Sequence, residues 1–135
     1  MSLEIQQRDT EGIAVLEMKG RIKVGKEATA LREKVAELTA ANLKNIVFNL
    51  AGVDYIDSTG LGALVMCATT LRKSGGNVKL VNLNRRNIEL LVMTRLATCF
   101  EIFTDEVDAV GSYYPDRKIK TFDILDFVNK MKTEE

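Results

Sequence analysis

Asp57, Ser58 and Thr59, followed by Gly60 and Gly62, place a carboxylate and a pair of hydroxyls where an apolar strand pattern gives way to a helical one. Backbone N–H groups at a helix N-terminus lack intrahelical partners, and the helix dipole is positive there. A phosphate added to Ser58 would be accommodated without unfolding the helix. Taken alone, Asp57 or Ser58 also reads as an ordinary cap, and Gly60 and Gly62 as tight helix-on-sheet packing. The segment lacks the lysine of G-x-x-x-x-G-K-[ST] and the third glycine of a dinucleotide fingerprint, so it matches neither nucleotide-binding pattern.

Absences narrow the chemistry further. The chain has no histidine, hence no Ser-His or Cys-His nucleophile pair, no His metal ligand and no side chain with an unperturbed pKa near neutrality. Hydrolysis would have to run on carboxylates, Lys or Tyr. Cys67 and Cys99 lie far apart in apolar surroundings, outside any ligand-spaced cluster, and read as buried reduced thiols. The expectation is a protein that is not an enzyme and uses no cofactor or metal.

Lys and Arg number 19 against 19 Asp and Glu, with the signs interspersed. No broad field draws in nucleic acid or anionic lipid. The N-terminus has no basic segment followed by an apolar run, and no apolar stretch approaches the length of a membrane span. The reading is a cytoplasmic protein without nucleic-acid or direct membrane contact.

The elements that must position the hydroxyls follow from periodicity. Ile5 to Arg8 and Ile13 to Met18 read as strands around the turn-forming cluster Asp9-Thr10-Glu11-Gly12. Ala28, Leu31, Val35 and Leu38 recur at helical spacing between Lys26 and Ala41. Ile46 to Leu50 is a short, mostly apolar run, the pattern of a central strand covered on both faces. A helix from Ser58 to Lys73 follows, ended by Gly75-Gly76, then a strand from Val78 to Leu83. A further helix over Arg85–Arg95 leads to a strand over Phe100–Phe103. Thr104 is placed to cap a short helix over Asp105–Val110.

Strand-helix-strand units of this kind make parallel neighbours, so the fold class is α/β, a mixed sheet flanked by helices in one domain over residues 1–110. Residues 111–135 form an extension in which Phe122, Leu125, Val128 and Met131 mark an amphipathic helix. That helix either packs back on the domain or docks on a partner, including a second copy in a homodimer.

Asp57-Ser58-Thr59-Gly60-Leu61-Gly62, preceded by Ile46 to Val53 and followed by Gly75 to Val81, resembles the STAS domain of bacterial anti-sigma factor antagonists. Gly20-Arg21-Ile22 before the first helix agrees with it. The resemblance implies a STAS-like fold and a role in partner switching, a form of transcription regulation. The unphosphorylated domain binds an anti-sigma factor that is also a serine kinase, so a sigma factor is freed. The kinase then phosphorylates the motif serine, here Ser58 rather than Thr59, the complex parts, and a serine phosphatase resets it.

By the same resemblance the contact surface includes Asp57, Ser58, Thr59, Gly60, Leu61 and Lys23. One departure stands out: kinase-regulated antagonists commonly carry an aspartate where this chain has Lys23. That lysine pairs with the phosphate in the same molecule, meets a partner of opposite charge, or is an ordinary solvated loop residue. Two other readings remain open. One is a STAS scaffold or accessory subunit, of a signalling or lipid-transport complex, that is never phosphorylated. The other is a small carboxylate-based enzyme or nucleotide-binding domain.

Overall fold

Ile46, Val47, Phe48 and Leu50 are all fully buried, which requires cover on both faces of the strand that carries them. The computed structural model of the chain describes residues 3–116 and 121–134. The order is β1 (Leu3–Thr10), β2 (Ile13–Ile22), α1 (Lys26–Ala40), β3 (Asn45–Ile56), α2 (Ser58–Lys73), β4 (Asn77–Val81) and α3 (Arg85–Met93). A 3-10 turn (Ala97–Cys99), β5 (Glu101–Phe103), α4 (Glu106–Gly111) and α5 (Ile124–Glu134) complete it. The strands form one five-stranded sheet in the order β1-β2-β3-β4-β5, so β3 is central. β1 pairs antiparallel with β2 and every other pair is parallel.

Strand alternation divides the core between the faces. Leu16, Phe48 and Leu80 sit opposite one another and bury the apolar stripes of α1 and α2, including Leu31, Val35, Leu64 and Leu71. Each such side chain contributes about 1.5–3 kcal/mol by leaving water. A smaller cluster on the other face packs Val15, Val47, Val81 and Phe103 under Ala109 and Val110 of α4. Lys79 shares that face and is buried there; its ammonium lies 2.6 Å from Ser112 Oγ, 3.2 Å from a Glu101 carboxylate oxygen and 4.2 Å from the Tyr113 ring centroid.

Several boundaries differ from the sequence expectation, each for a local reason. Thr10 pairs with Ile13, so the hairpin turn shrinks to Glu11 and Gly12, both with positive φ (52° and 84°), the geometry that matches strand twist in a two-residue turn. β3 continues past Leu50 to Ile56 because Val53 and Ile56 regain the buried face after register shifts against β2. β4 stops at Val81 and α3 at Met93, ahead of the positive-φ residues Asn82 and Arg95. Asp105, not Thr104, caps α4, its carboxylate accepting the Val107 N–H at 2.8 Å. Cys67 is buried as expected, but Cys99 is only half-buried.

The terminal helix also shifts. Asp123 accepts the Asp126 N–H at 3.0 Å and α5 starts at Ile124, leaving Phe122 outside it. Phe122 instead donates its N–H to Ile102 O at 2.9 Å on the β5 edge. Leu125, expected on the apolar stripe, is 76% exposed, while Ile124, Phe127, Val128 and Met131 are half-buried.

Candidate functional site

Asp57 follows β3 in extended backbone and caps α2, so one residue ties three segments together. Its Oδ1 accepts the Gly60 N–H at 2.7 Å, its Oδ2 accepts the Val24 N–H at 3.0 Å, and its own N–H donates to Ile22 O at 3.1 Å. The Gly60 N–H, with those of Val24 and Thr59 and the charge of Lys23, holds the Asp57 carboxyl below the usual carboxylate range against the opposing effect of burial. An ionised carboxylate thus stands beside the hydroxyls.

Gly60 is buried at the point of closest approach. A Cβ added there would lie 2.0 Å from Ile22 O, so α2 can rest on the end of β2 only with a glycine at this position. Leu61 is buried as well. Gly60 and Leu61, two of the six residues expected on the contact surface, are therefore buried, and hold the turn in place. Gly62, by contrast, is exposed, with open space where its Cβ would be.

Ser58 and Thr59 are exposed. Ser58 is the first residue of α2 and its hydroxyl makes no hydrogen bond among the described residues, because Asp57 does the capping. Lys23 is half-buried in the loop before α1, next to Val24, which is 65% exposed. The structure thus brings Lys23 within electrostatic reach of Asp57, across more than thirty residues of sequence.

Beside Ser58 lies an open pocket of about 320 Å³ between the end of β3, the start of α2 and α3. Tyr55, Arg86, Glu89 and Met93 line it with Asp57 and Ser58. The Arg86 guanidinium sits 4.8 Å from the Tyr55 ring centroid, a cation–π stack. The start of α3 is pinned to β3: Asn84 Oδ1 accepts the Asn87 N–H at 2.8 Å, and buried Asn87 donates from Nδ2 to Val53 O at 3.1 Å. Sequence reading passed over Tyr55, Arg86 and Met93. The available signal was Arg85-Arg86 in the first turn of a helix with no acid there, where the dipole disfavours cations.

No group of His, Cys, Asp or Glu among the described residues is arranged to hold a metal ion, and none of their helices is long and apolar enough to cross a membrane. The arrangement offers an accessible hydroxyl, free of any capping role, beside a fixed carboxylate, and a pocket with a stacked cation.

The STAS domain model matches residues 4–109. The anti-sigma-B factor antagonist of Bacillus subtilis (strain 168) is 34% identical over 102 residues, which is 76% of this chain and 92% of that protein. A crystal structure assigned as an anti-sigma factor antagonist from Thermotoga maritima superposes with a TM-score of 0.74 at 22% identity, covering 80% of this chain and 92% of that one. The Bacillus cell fate determinant SpoIIAA in its phosphorylated form gives 0.64 at 17% identity, over 82% and 99%. The chain thus belongs to the STAS domain family, alongside the anti-sigma factor antagonists.

Proposed function

We propose that this chain is an anti-sigma factor antagonist that works by partner switching in the cytoplasm. Unmodified, it binds a cognate anti-sigma factor that is also a serine kinase; phosphorylated at Ser58, it is released, and a serine phosphatase restores it. The observation that carries this reading is the division of labour at α2: Asp57 supplies the cap, so the exposed Ser58 hydroxyl is not needed to hold the helix. The kinship with named anti-sigma factor antagonists supports the partner class.

In the transfer, Ser58 Oγ bonds to the γ-phosphorus of ATP as the bond to the ADP oxygen breaks, and the hydroxyl proton leaves to solvent. The new group carries a charge of about −1.5 to −2 beside an already ionised Asp57. Each tenfold loss of affinity needs only about 1.4 kcal/mol, which like-charge contact and polar desolvation at an interface supply. The contact surface comprises Asp57, Ser58, Thr59 and Lys23, with the exposed apolar side chains Val24, next to Lys23, and Met93, in the pocket beside Ser58. Gly60 and Leu61 support it from below. A homodimer through α5 belongs to the same proposal, and light scattering of the chain truncated before residue 121 tests it.

The deciding experiment pairs the chain with a candidate anti-sigma kinase and ATP. Ser58→Ala abolishes phosphate incorporation, Thr59→Ala retains it, and Ser58→Asp weakens the complex at least about tenfold. If Ser58→Ala accepts phosphate at the wild-type rate, the site is wrong. If Ser58→Asp leaves all partner binding unchanged, the unphosphorylated scaffold is the better reading.

A further inference from the structure

The pocket beside Ser58 contains a cation without an acidic partner. Arg86 makes no ion pair within 4 Å among the described residues, although two acids line the same pocket. Glu89 is engaged by Arg85 at 2.9 Å, and both Asp57 oxygens accept backbone N–H groups. Arg86 is nevertheless held in place, its guanidinium stacked on Tyr55. Its helix begins with Arg85 and Arg86 and no acid in the first turn, an unfavourable placement for cations that an arriving anion would relieve.

Both walls of the pocket are fixed before any anion arrives. Asn87 and Asn84 fasten the start of α3 to Val53, and Asp57 fastens the start of α2. A guanidinium offers a planar fork of donors that matches phosphate oxygens in pairs. Lys23, which lies within electrostatic reach of Asp57, does not line this pocket. We infer that Arg86 is the intramolecular counter-ion of phosphorylated Ser58, so that modification fills the pocket with an arginine–phosphate pair backed by Tyr55. The biological use of this pair rests on the reading of Ser58 as the regulated serine. Phosphorylation then acts twice: it adds charge to the surface, and it closes the pocket to any side chain a partner would insert there.

The charges around the phosphate would be Asp57 beside it, Lys23 from the loop before α1, Arg86 and the Arg85–Glu89 pair from α3, and Arg21 and Asp54 around an adjoining hollow that shares Tyr55 and Arg86. A phosphorus NMR titration separates their effects. Phosphoserine is installed at position 58 during translation, without any kinase, in the wild type and in Arg86→Gln, Arg86→Lys, Lys23→Ala and Arg21→Ala. Arg86→Gln raises the second ionisation of the phosphate by about 0.5 pH unit or more, Arg86→Lys raises it less, and the other two move it less than half as far as Arg86→Gln.

An unchanged ionisation in Arg86→Gln overturns the pairing, as does a larger effect from Lys23→Ala. Amide spectra of the unphosphorylated variants, unchanged outside the pocket, establish that the fold is intact; Arg86→Gln keeps the stem over Tyr55 for that purpose. An Arg86-dependent shift in a chain whose Ser58 no anti-sigma kinase modifies supports the pair and overturns the functional reading instead.

Discussion

Replacing Gly60 with alanine tests how α2 is held against the sheet. The new Cβ would lie 2.0 Å from Ile22 O, 2.7 Å from Ile22 C and 2.9 Å from Ile22 Cγ2, and Ile22 is fully buried. None of these atoms is the free end of a flexible side chain, so the helix start must lift by about 1.5 Å to reach ordinary contact. That motion pulls on the Asp57 Oδ1 to Gly60 N–H bond of 2.7 Å and on the packing of Leu61 and Leu64. Overpacking of this kind costs about 1–3 kcal/mol and a weakened cap about 1 more, while the better helix propensity of alanine returns about 1.

The net loss is about 1–3 kcal/mol, a fall in Tm of roughly 4–12 °C for a domain of this size. Gly62→Ala supplies the control, because nothing lies within 4 Å of its Cβ position and the residue is exposed. It gains about 0.5–1 kcal/mol from helix propensity and a less flexible unfolded chain. Urea unfolding followed by circular dichroism measures both, with the slope unchanged. A Gly60→Ala variant within about 0.5 kcal/mol of wild type, or two variants of the same sign, refutes the argument.

Other expectations follow from the same geometry. Asp57→Ala costs about 1–2 kcal/mol at pH 7. Because the folded pKa is depressed, this contribution is present above the unfolded carboxylate range and fades as pH falls through the folded value, so the gap to wild type starts to narrow at about pH 4 and shrinks further with acid; a gap that stays constant through the acid range contradicts it. Burial pushes the Cys67 thiol up to about 12. Iodoacetamide at pH 8 therefore modifies it at least about 100-fold more slowly in the native protein than in denaturant, as read by mass spectrometry. Lys79→Ala destabilises by about 2 kcal/mol, since it empties the space under Ser112 and Tyr113, whereas Lys79→Met fills the space and loses about 1 kcal/mol or less in the same melts.

Much of the fold was legible because its signals are local. The helical stripe through Ala28, Leu31, Val35 and Leu38 and the apolar run from Ile46 to Phe48 are buried where periodicity put them. Boundaries escaped where a neighbour decides them. The stretch Ala51 to Ile56 has no plain alternation, and becomes strand only because β2 shifts register alongside it. Phe122 fits a helical stripe in sequence, yet its N–H is drawn to Ile102 on the β5 edge and Asp123 starts the helix after it.

The candidate site divides in the same way. Sequence by itself determined the motif, the placement of Ser58 at a helix start and the exclusion of histidine chemistry, since these depend on residue identity and near neighbours. Only the tertiary structure decided which residues face solvent and which carry weight inside. It turned Gly60 inward against Ile22 and buried Leu61, gave the two Asp57 oxygens backbone donors from the first turn of α2 and the loop before α1, and set Arg86 on Tyr55 beside Ser58. The physical reason is that a parallel sheet gathers the carboxyl ends of strands distant in sequence, so the partners of one serine are fixed by the register of β2, β3 and β4 and not by the spacing along the chain.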